Sequence, residues 1–197
     1  MPLHTATIQM VSGTSVPANL AAARALLEQA AQAGAELAVL PEYFCLMGHQ
    51  DTDKLAVAES LGEGAIQTFL SQAARELGLW IVGGTLPLRT QDPARVRNAT
   101  LVFSPEGRRV ARYDKVHLFR FDNGREQYDE ARVIEAGAQP VAFDLMARDG
   151  STWRIGLSVC YDLRFPELYR QLAAPGAHVL LVPRAFPHPT GRAHWEP

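Results

Sequence analysis

Three residues whose types suit acyl transfer stand at the ends of strand-like runs. Glu42 follows Leu37-Ala38-Val39-Leu40 and Pro41. Lys115 follows a run that ends at Tyr113, and Cys160 follows Ile155-Gly156-Leu157-Ser158-Val159. Side chains just beyond the carboxyl ends of strands are exposed by loops on a rigid support. A thiol, a carboxylate and an ammonium supply a nucleophile, a general base and a partner for a developing oxyanion. A thiol on a strand-to-helix turn also lies near oriented backbone N–H groups, which are expected to lower its pKa. A glutamate after four apolar residues and a proline is expected to be partly desolvated, which raises its pKa. Each residue also has a plain reading. Cys160 also reads as a core thiol, a reading weakened by the polar and aromatic residues 161–167 beside it, Glu42 as a loop carboxylate, and Lys115 equally as a solvated partner of Asp114. Cys45, in Phe44-Cys45-Leu46-Met47, is read as a core thiol.

The elements that must position these residues alternate between strand and helix. Thr5–Val11 reads as a strand. Pro17–Ala33 reads as a helix, with Leu20, Ala23, Leu27 and Ala30 at helical spacing and Gly34 ending the run. Leu37–Leu40 is an apolar strand, Ala65–Leu77 a second amphipathic helix, and Trp80–Val82 a strand running into Gly83-Gly84. Asn98–Phe103 and Arg109–Tyr113 flank the turn signal Ser104-Pro105-Glu106-Gly107 and are expected to form a hairpin. Pro140–Leu145 and Trp153–Val159 form strands around Asp149-Gly150. Pro166–Ala174 is a helix with proline at its start, and His178–Val182 is a further strand. About nine strands and at least three helices in this order predict an α/β or α+β chain with mixed sheets.

Composition excludes several classes. The 197 residues are 47% apolar and 20% charged, with a formal net charge of −2. That balance excludes a disordered chain, a coiled coil and a collagen-like fibre. No basic surplus points to nucleic acid or to an anionic membrane surface, and no apolar run approaches a membrane span of roughly 20 residues. The start, Met-Pro-Leu-His-Thr, lacks the pattern of a signal peptide, so the expected compartment is the cytoplasm. The two cysteines make no disulfide framework. His4, His49, His117, His178, His188 and His194 show no paired ligand spacing, and Gly83-Gly84 lacks the rest of a nucleotide motif, so neither metal nor cofactor is expected. Lys54 and Lys115 are the only lysines against 17 arginines. An ammonium acts as a compact point charge in a way a guanidinium does not.

Taken together, four segments resemble the nitrilase superfamily of carbon–nitrogen hydrolases. They are Pro-Glu-Tyr at 41–43, Asp-Lys-Val-His-Leu-Phe at 114–119, and Cys-Tyr-Asp-Leu-Arg-Phe-Pro-Glu-Leu at 160–168. The fourth is Val182-Pro183-Arg184-Ala185-Phe186 with Thr190-Gly191-Arg192-Ala193-His194-Trp195-Glu196. The resemblance runs from about residue 5 to 196 and is strongest to the branch containing ω-amidases and deaminated-glutathione amidases. It implies a four-layer α-β-β-α sandwich and a Glu-Lys-Cys triad at Glu42, Lys115 and Cys160. It also implies a second glutamate between the lysine and the cysteine. Of Glu126, Glu130 and Glu135, the pattern Tyr128-Asp129-Glu130 with Gly137 downstream selects Glu130. Family members continue beyond Ala193-His194-Trp195-Glu196, so residues 1–197 are expected to be one hydrolase domain lacking its C-terminal part. A homodimer or larger assembly is expected of the full-length protein.

The chemistry implied is hydrolysis of a small primary amide to acid and ammonia through a thioester on Cys160. The Lys115 ammonium and the Tyr161 backbone N–H would hold the oxyanion. Arg164 is a candidate clamp for a substrate carboxylate, with an ion pair to Glu167 or Asp162 as the alternative, and Thr190 is a candidate hydroxyl contact. A nitrilase, an N-carbamoyl amide hydrolase and a non-catalytic scaffold retaining the fold are the rival readings.

Overall fold

The computed structural model describes residues 2–122, 124 and 127–185. The first half alternates strand and helix: β1 (Thr5–Thr7), α1 (Val16–Gln32), β2 (Leu37–Val39), the short α2 (Asp53–Ala56), α3 (Ala65–Leu77) and β3 (Trp80–Val82). Next come β4 (Leu86–Arg89), β5 (Val96–Phe103), β6 (Arg109–Asp114), β7 (Arg120–Asp122) and β8 (Gln127–Asp129). The remainder is β9 (Val141–Met146), β10 (Thr152–Leu157), a 3₁₀ turn at Cys160–Arg164, α4 (Pro166–Ala173) and β11 (Val179–Leu181). Helix boundaries follow local chemistry. Ser15 caps α1 by accepting from the Ala18 N–H, Gly78 ends α3 in the left-handed conformation, and Pro166 opens α4.

In the first sheet β1, β2 and β3 run parallel, and β3 pairs antiparallel with β5. β5 also pairs antiparallel with β4 and β6. The second sheet places β10 between antiparallel β9 and parallel β11, and β7 pairs with β8 as a separate ribbon. Alternation of side chains along the strands decides the layers. Ala38, Ile81, Ala99 and Leu101 pack on one face with Ala23 and Leu27 of α1 and Ile66 and Leu70 of α3. Leu37, Val39, Val82 and Val102 face the other way and meet Phe143, Leu145, Ile155 and Leu157 of the second sheet. Leu172 of α4 lies against Gly156 on the outer face of β10. The order is therefore helix, sheet, sheet, helix, as the resemblance implies.

Three details differ from the sequence reading. The first strand ends at Thr7 rather than Val11, and β10 ends at Leu157, so Ser158 and Val159 are connecting residues before the Cys160 turn. β4 and the β7–β8 ribbon have no counterpart in that reading. β4 contains Pro87 in a run of four residues, and each ribbon strand is three residues long, too short for periodicity to register.

Candidate active site

The two sheets bring the three candidate residues together at their carboxyl-end edge. Glu42 leaves β2 in a bend fixed by its neighbour strand. Gly84 sits at φ 48°, and a Cβ there would fall 2.0 Å from the Pro41 carbonyl oxygen. Glycine alone admits this approach. It lets the Thr85 hydroxyl oxygen accept from the Tyr43 N–H at 2.9 Å. Lys115 directly follows β6. Its N–H donates to the Asn98 carbonyl at 3.0 Å and its carbonyl accepts from Gly137 N–H at 2.8 Å. Cys160 opens the 3₁₀ turn, with its N–H donating to Pro183 O at 3.0 Å.

Among the described residues, the non-glycine positions at positive φ are Tyr43, at 56°, and Cys160, at 48°. Such conformations cost of order 1–3 kcal/mol each and persist where the surroundings over-determine them. Here each lies within one residue of a candidate catalytic group.

One ammonium lies between two carboxylates. Lys115 Nζ is 3.0 Å from Glu42 Oε1 and 2.9 Å from Glu130 Oε2, and the Glu42 and Lys115 side chains are both 1% exposed. Asn98 Nδ2 donates to Glu42 Oε1 at 3.1 Å, and the Ala185 N–H donates to Oε2 at 3.2 Å. Glu130 accepts from the Tyr43 hydroxyl at 2.8 Å and from the Phe119 N–H at 2.7 Å. The Cys160 thiol lies near enough to Glu42, Lys115 and Glu130 for their charges to act on it.

Burial pushes the Glu42 carboxyl above its ordinary value; the Lys115 charge opposes this and Glu130 adds to it. Burial works against the Lys115 ammonium, but Glu42 and Glu130 outweigh it and leave its pKa raised, so the group stays charged. Burial also raises the Cys160 thiol, with the Glu42 charge adding to it and Lys115 opposing it. The expectation that backbone dipoles lower this thiol is therefore reversed. In the resting site the proton stays on sulfur beside a carboxylate placed to receive it. Tyr43 is a neutral phenol, its pKa raised well above the usual value by burial and then by the two glutamates.

The other candidates divide. Glu130 is the glutamate brought to Lys115, whereas Glu135 pairs with Arg97; Glu126 lies outside the described residues. The Tyr161 N–H belongs to the first turn of the 3₁₀ segment, where backbone donors have no partner within the helix. Arg164 is exposed at the end of that turn, while Glu167 pairs with Arg170 and Asp162 with His117. Thr190 lies outside the described residues. Cys45 is buried, with its thiol pushed up to about 12 by burial, and its Sγ reaches Thr85 O at 3.7 Å. Among the described residues no three His, Cys, Asp or Glu side chains gather as metal ligands, and no helix is long and apolar enough to cross a membrane.

Sequence reasoning missed Tyr43, Asn98 and the Ala185 N–H as partners of the charged cluster. Tyr43 carried a signal, being adjacent to Glu42 in the Pro-Glu-Tyr segment. Ala185 lay in the fourth resembling segment, 143 residues from Glu42, whereas Asn98, 56 residues away, carried no signal.

The model of the carbon–nitrogen hydrolase family matches residues 4–197. The chain is 37% identical over 198 residues to the deaminated glutathione amidase of Synechocystis sp., an alignment covering 99% of this chain and 71% of that protein. It is 36% identical over 182 residues to the chloroplastic omega-amidase of Arabidopsis thaliana, covering 90% of this chain and 47% of that one. Two solved structures extend the likeness. The C. elegans NitFhit protein superposes with a TM-score of 0.85 at 31% identity, over 98% of this chain and 46% of its own. A glutamate-to-glutamine variant of the amidase from Nesterenkonia sp. AN1, with acrylamide added to its active-site cysteine, gives 0.77 at 28% identity over 96% and 70%. The chain thus spans under half of the nematode protein and about seven-tenths of the Synechocystis and Nesterenkonia proteins.

Proposed function

The chain belongs to the carbon–nitrogen hydrolase family, and from that membership and its site we propose that it hydrolyses small primary amides to a carboxylic acid and ammonia. The observation that carries the reading is the buried Lys115 ammonium between Glu42 and Glu130, with the Cys160 thiol within reach of all three charges.

In the reaction, Glu42 takes the thiol proton as sulfur attacks the amide carbon. A general base so placed contributes about 10²–10⁴-fold. The oxyanion forms beside the Lys115 ammonium and the Tyr161 N–H, and one such donor is worth about 3 kcal/mol of barrier. Glu42 then gives its proton to the nitrogen, the C–N bond breaks, and ammonia leaves an acyl thioester on Cys160. Water, deprotonated by Glu42, attacks the thioester; the acid departs and the thiol regains a proton. Glu130, held by Tyr43 and the Phe119 N–H, keeps Lys115 in place and its charge balanced.

The substrate class we favour is the monoamide of a dicarboxylic acid. Its support is Arg164, exposed on the nucleophile turn, and the amidase names of the relatives. The test is ammonia release from succinamate and glutaramate, with intact-mass detection of an adduct equal to substrate minus ammonia on Cys160. Turnover of nitriles or N-carbamoyl compounds in place of amides overturns the reading, as does absence of any adduct.

A further inference from the structure

Asp162 takes no part in the chemistry above, yet it is a fully buried carboxylate two residues from the nucleophile, with 0% exposure. Its oxygens accept four hydrogen bonds. Oδ2 accepts from the Tyr113 hydroxyl at 2.7 Å and from the Val159 N–H at 2.8 Å. Oδ1 accepts from the His117 N–H at 3.0 Å and lies 2.7 Å from His117 Nδ1. Four donors match the lone-pair capacity of an ionised carboxylate. A carboxylate partner at that distance assigns the ring proton to Nδ1.

The placement of these donors matters more than their number. Tyr113 and His117 stand two residues to either side of Lys115, and Val159 immediately precedes Cys160. The His117 ring also lies flat on Phe165, with centroids 3.7 Å apart and planes 8° apart. Phe165 closes the nucleophile turn, donating its N–H to Asp162 O at 2.9 Å. One buried carboxylate therefore joins the lysine segment of the first sheet to the cysteine turn of the second.

We propose that Asp162, acting through the Nδ1–H of His117, is a positioning residue that fixes the Lys115 ammonium relative to the Cys160 sulfur. The two residues leave different sheets, and among the described residues this carboxylate ties their segments directly. A misplacement of about 1 Å between reacting groups costs on the order of 10²-fold in rate. The proposal rests on the reading of Cys160 as the nucleophile, and the test separates the two.

Two variants remove the His117 ring and its stacking on Phe165 but differ in where they put an N–H. The amide of His117→Asn occupies the place of Nδ1, whereas His117→Gln reaches the place of Nε2. The first readout is the rate of acrylamide addition to Cys160, followed by intact mass and peptide mapping. The second is kcat and KM on glutaramate. His117→Asn is expected within about threefold of wild type in both rates. His117→Gln is expected to lose about 10–100-fold in adduct rate and in kcat, with KM within about threefold. Tyr113→Phe, which removes one donor and no volume in the stack, is expected to lose about 3–10-fold in the same two rates. Equal losses in the asparagine and glutamine variants, a larger loss in asparagine, or failure of both to fold overturns the proposal. If no amide is hydrolysed by any form but the adduct rates divide as expected, amide hydrolysis fails and the positioning role stands.

Discussion

Glu42 and Lys115 form an ion pair at 3.0 Å with both side chains 1% exposed, and Glu130, 2.9 Å from the same ammonium, gives the three-residue cluster a surplus negative charge. Removing one member or the other is therefore unequal. Lys115→Met leaves two carboxylates facing each other in a dry site, and loss of a buried partner costs about 3–5 kcal/mol. Glu42→Gln leaves a neutral Lys115–Glu130 pair. A carboxyl whose folded pKa lies above its unfolded one binds more protons in the native state between the two values, so stability falls as pH rises through that window. Glutamine has no such dependence. The melting temperature of Glu42→Gln relative to wild type is expected to climb as pH rises above the ordinary glutamate value of 4.5. A difference that stays flat from pH 4 to 8, or that falls, contradicts the raised Glu42 pKa.

The same shift sets the pH–rate profile. General-base work needs ionised Glu42, so kcat/KM is lost as pH falls through its raised pKa. The acid limb is expected above 4.5, and the raised thiol contributes no limb of its own near neutrality. Asn98→Asp replaces the Nδ2 donor, 3.1 Å from Glu42 Oε1, by a like charge and is expected to move that limb further up. Profiles measured from pH 4 to 9 decide both points; a limb at or below 4.5, or one that Asn98→Asp lowers, rejects the assignment.

Lys115→Arg preserves the charge but not its shape. The ammonium fits between two carboxylates in a site with 1% exposure, and overpacking there costs about 1–3 kcal/mol. The broader guanidinium also spreads charge away from the oxyanion position. A kcat loss of about 10²-fold or more is expected, from the oxyanion term alone. Near-wild-type kcat in this variant excludes Lys115 from that role.

Arg164→Ala tests the substrate class. A guanidinium that clamps a distal carboxylate is expected to matter for glutaramate and not for butyramide, raising KM for the former about tenfold. Charge-assisted hydrogen bonds of this kind are worth about 1.5–3 kcal/mol. Equal losses on both amides remove Arg164 from substrate binding.

The sequence by itself determined the strands that end at the site. The apolar runs before Glu42 and Cys160, the strand-like run before Lys115, and the helical spacing of Ala23, Leu27 and Ala30 are local patterns. The helix follows its pattern because burial repeats with the helical period, while the strands before Glu42 and Cys160 follow from short apolar runs buried on both faces. Glu130 was singled out only through the family resemblance, and the ribbon that delivers it was not legible at all, since three-residue strands hold too few side chains to show alternation. Only the tertiary structure decided how these ends combine. Tyr43 meets Glu130 across 87 residues and Tyr113 meets Asp162 across 49, and no local pattern encodes such separations. The Cys160 thiol shows the difference most directly. Its own turn predicts a lowered pKa, but desolvation between two packed sheets and the neighbouring Glu42 charge act from outside that turn and raise it.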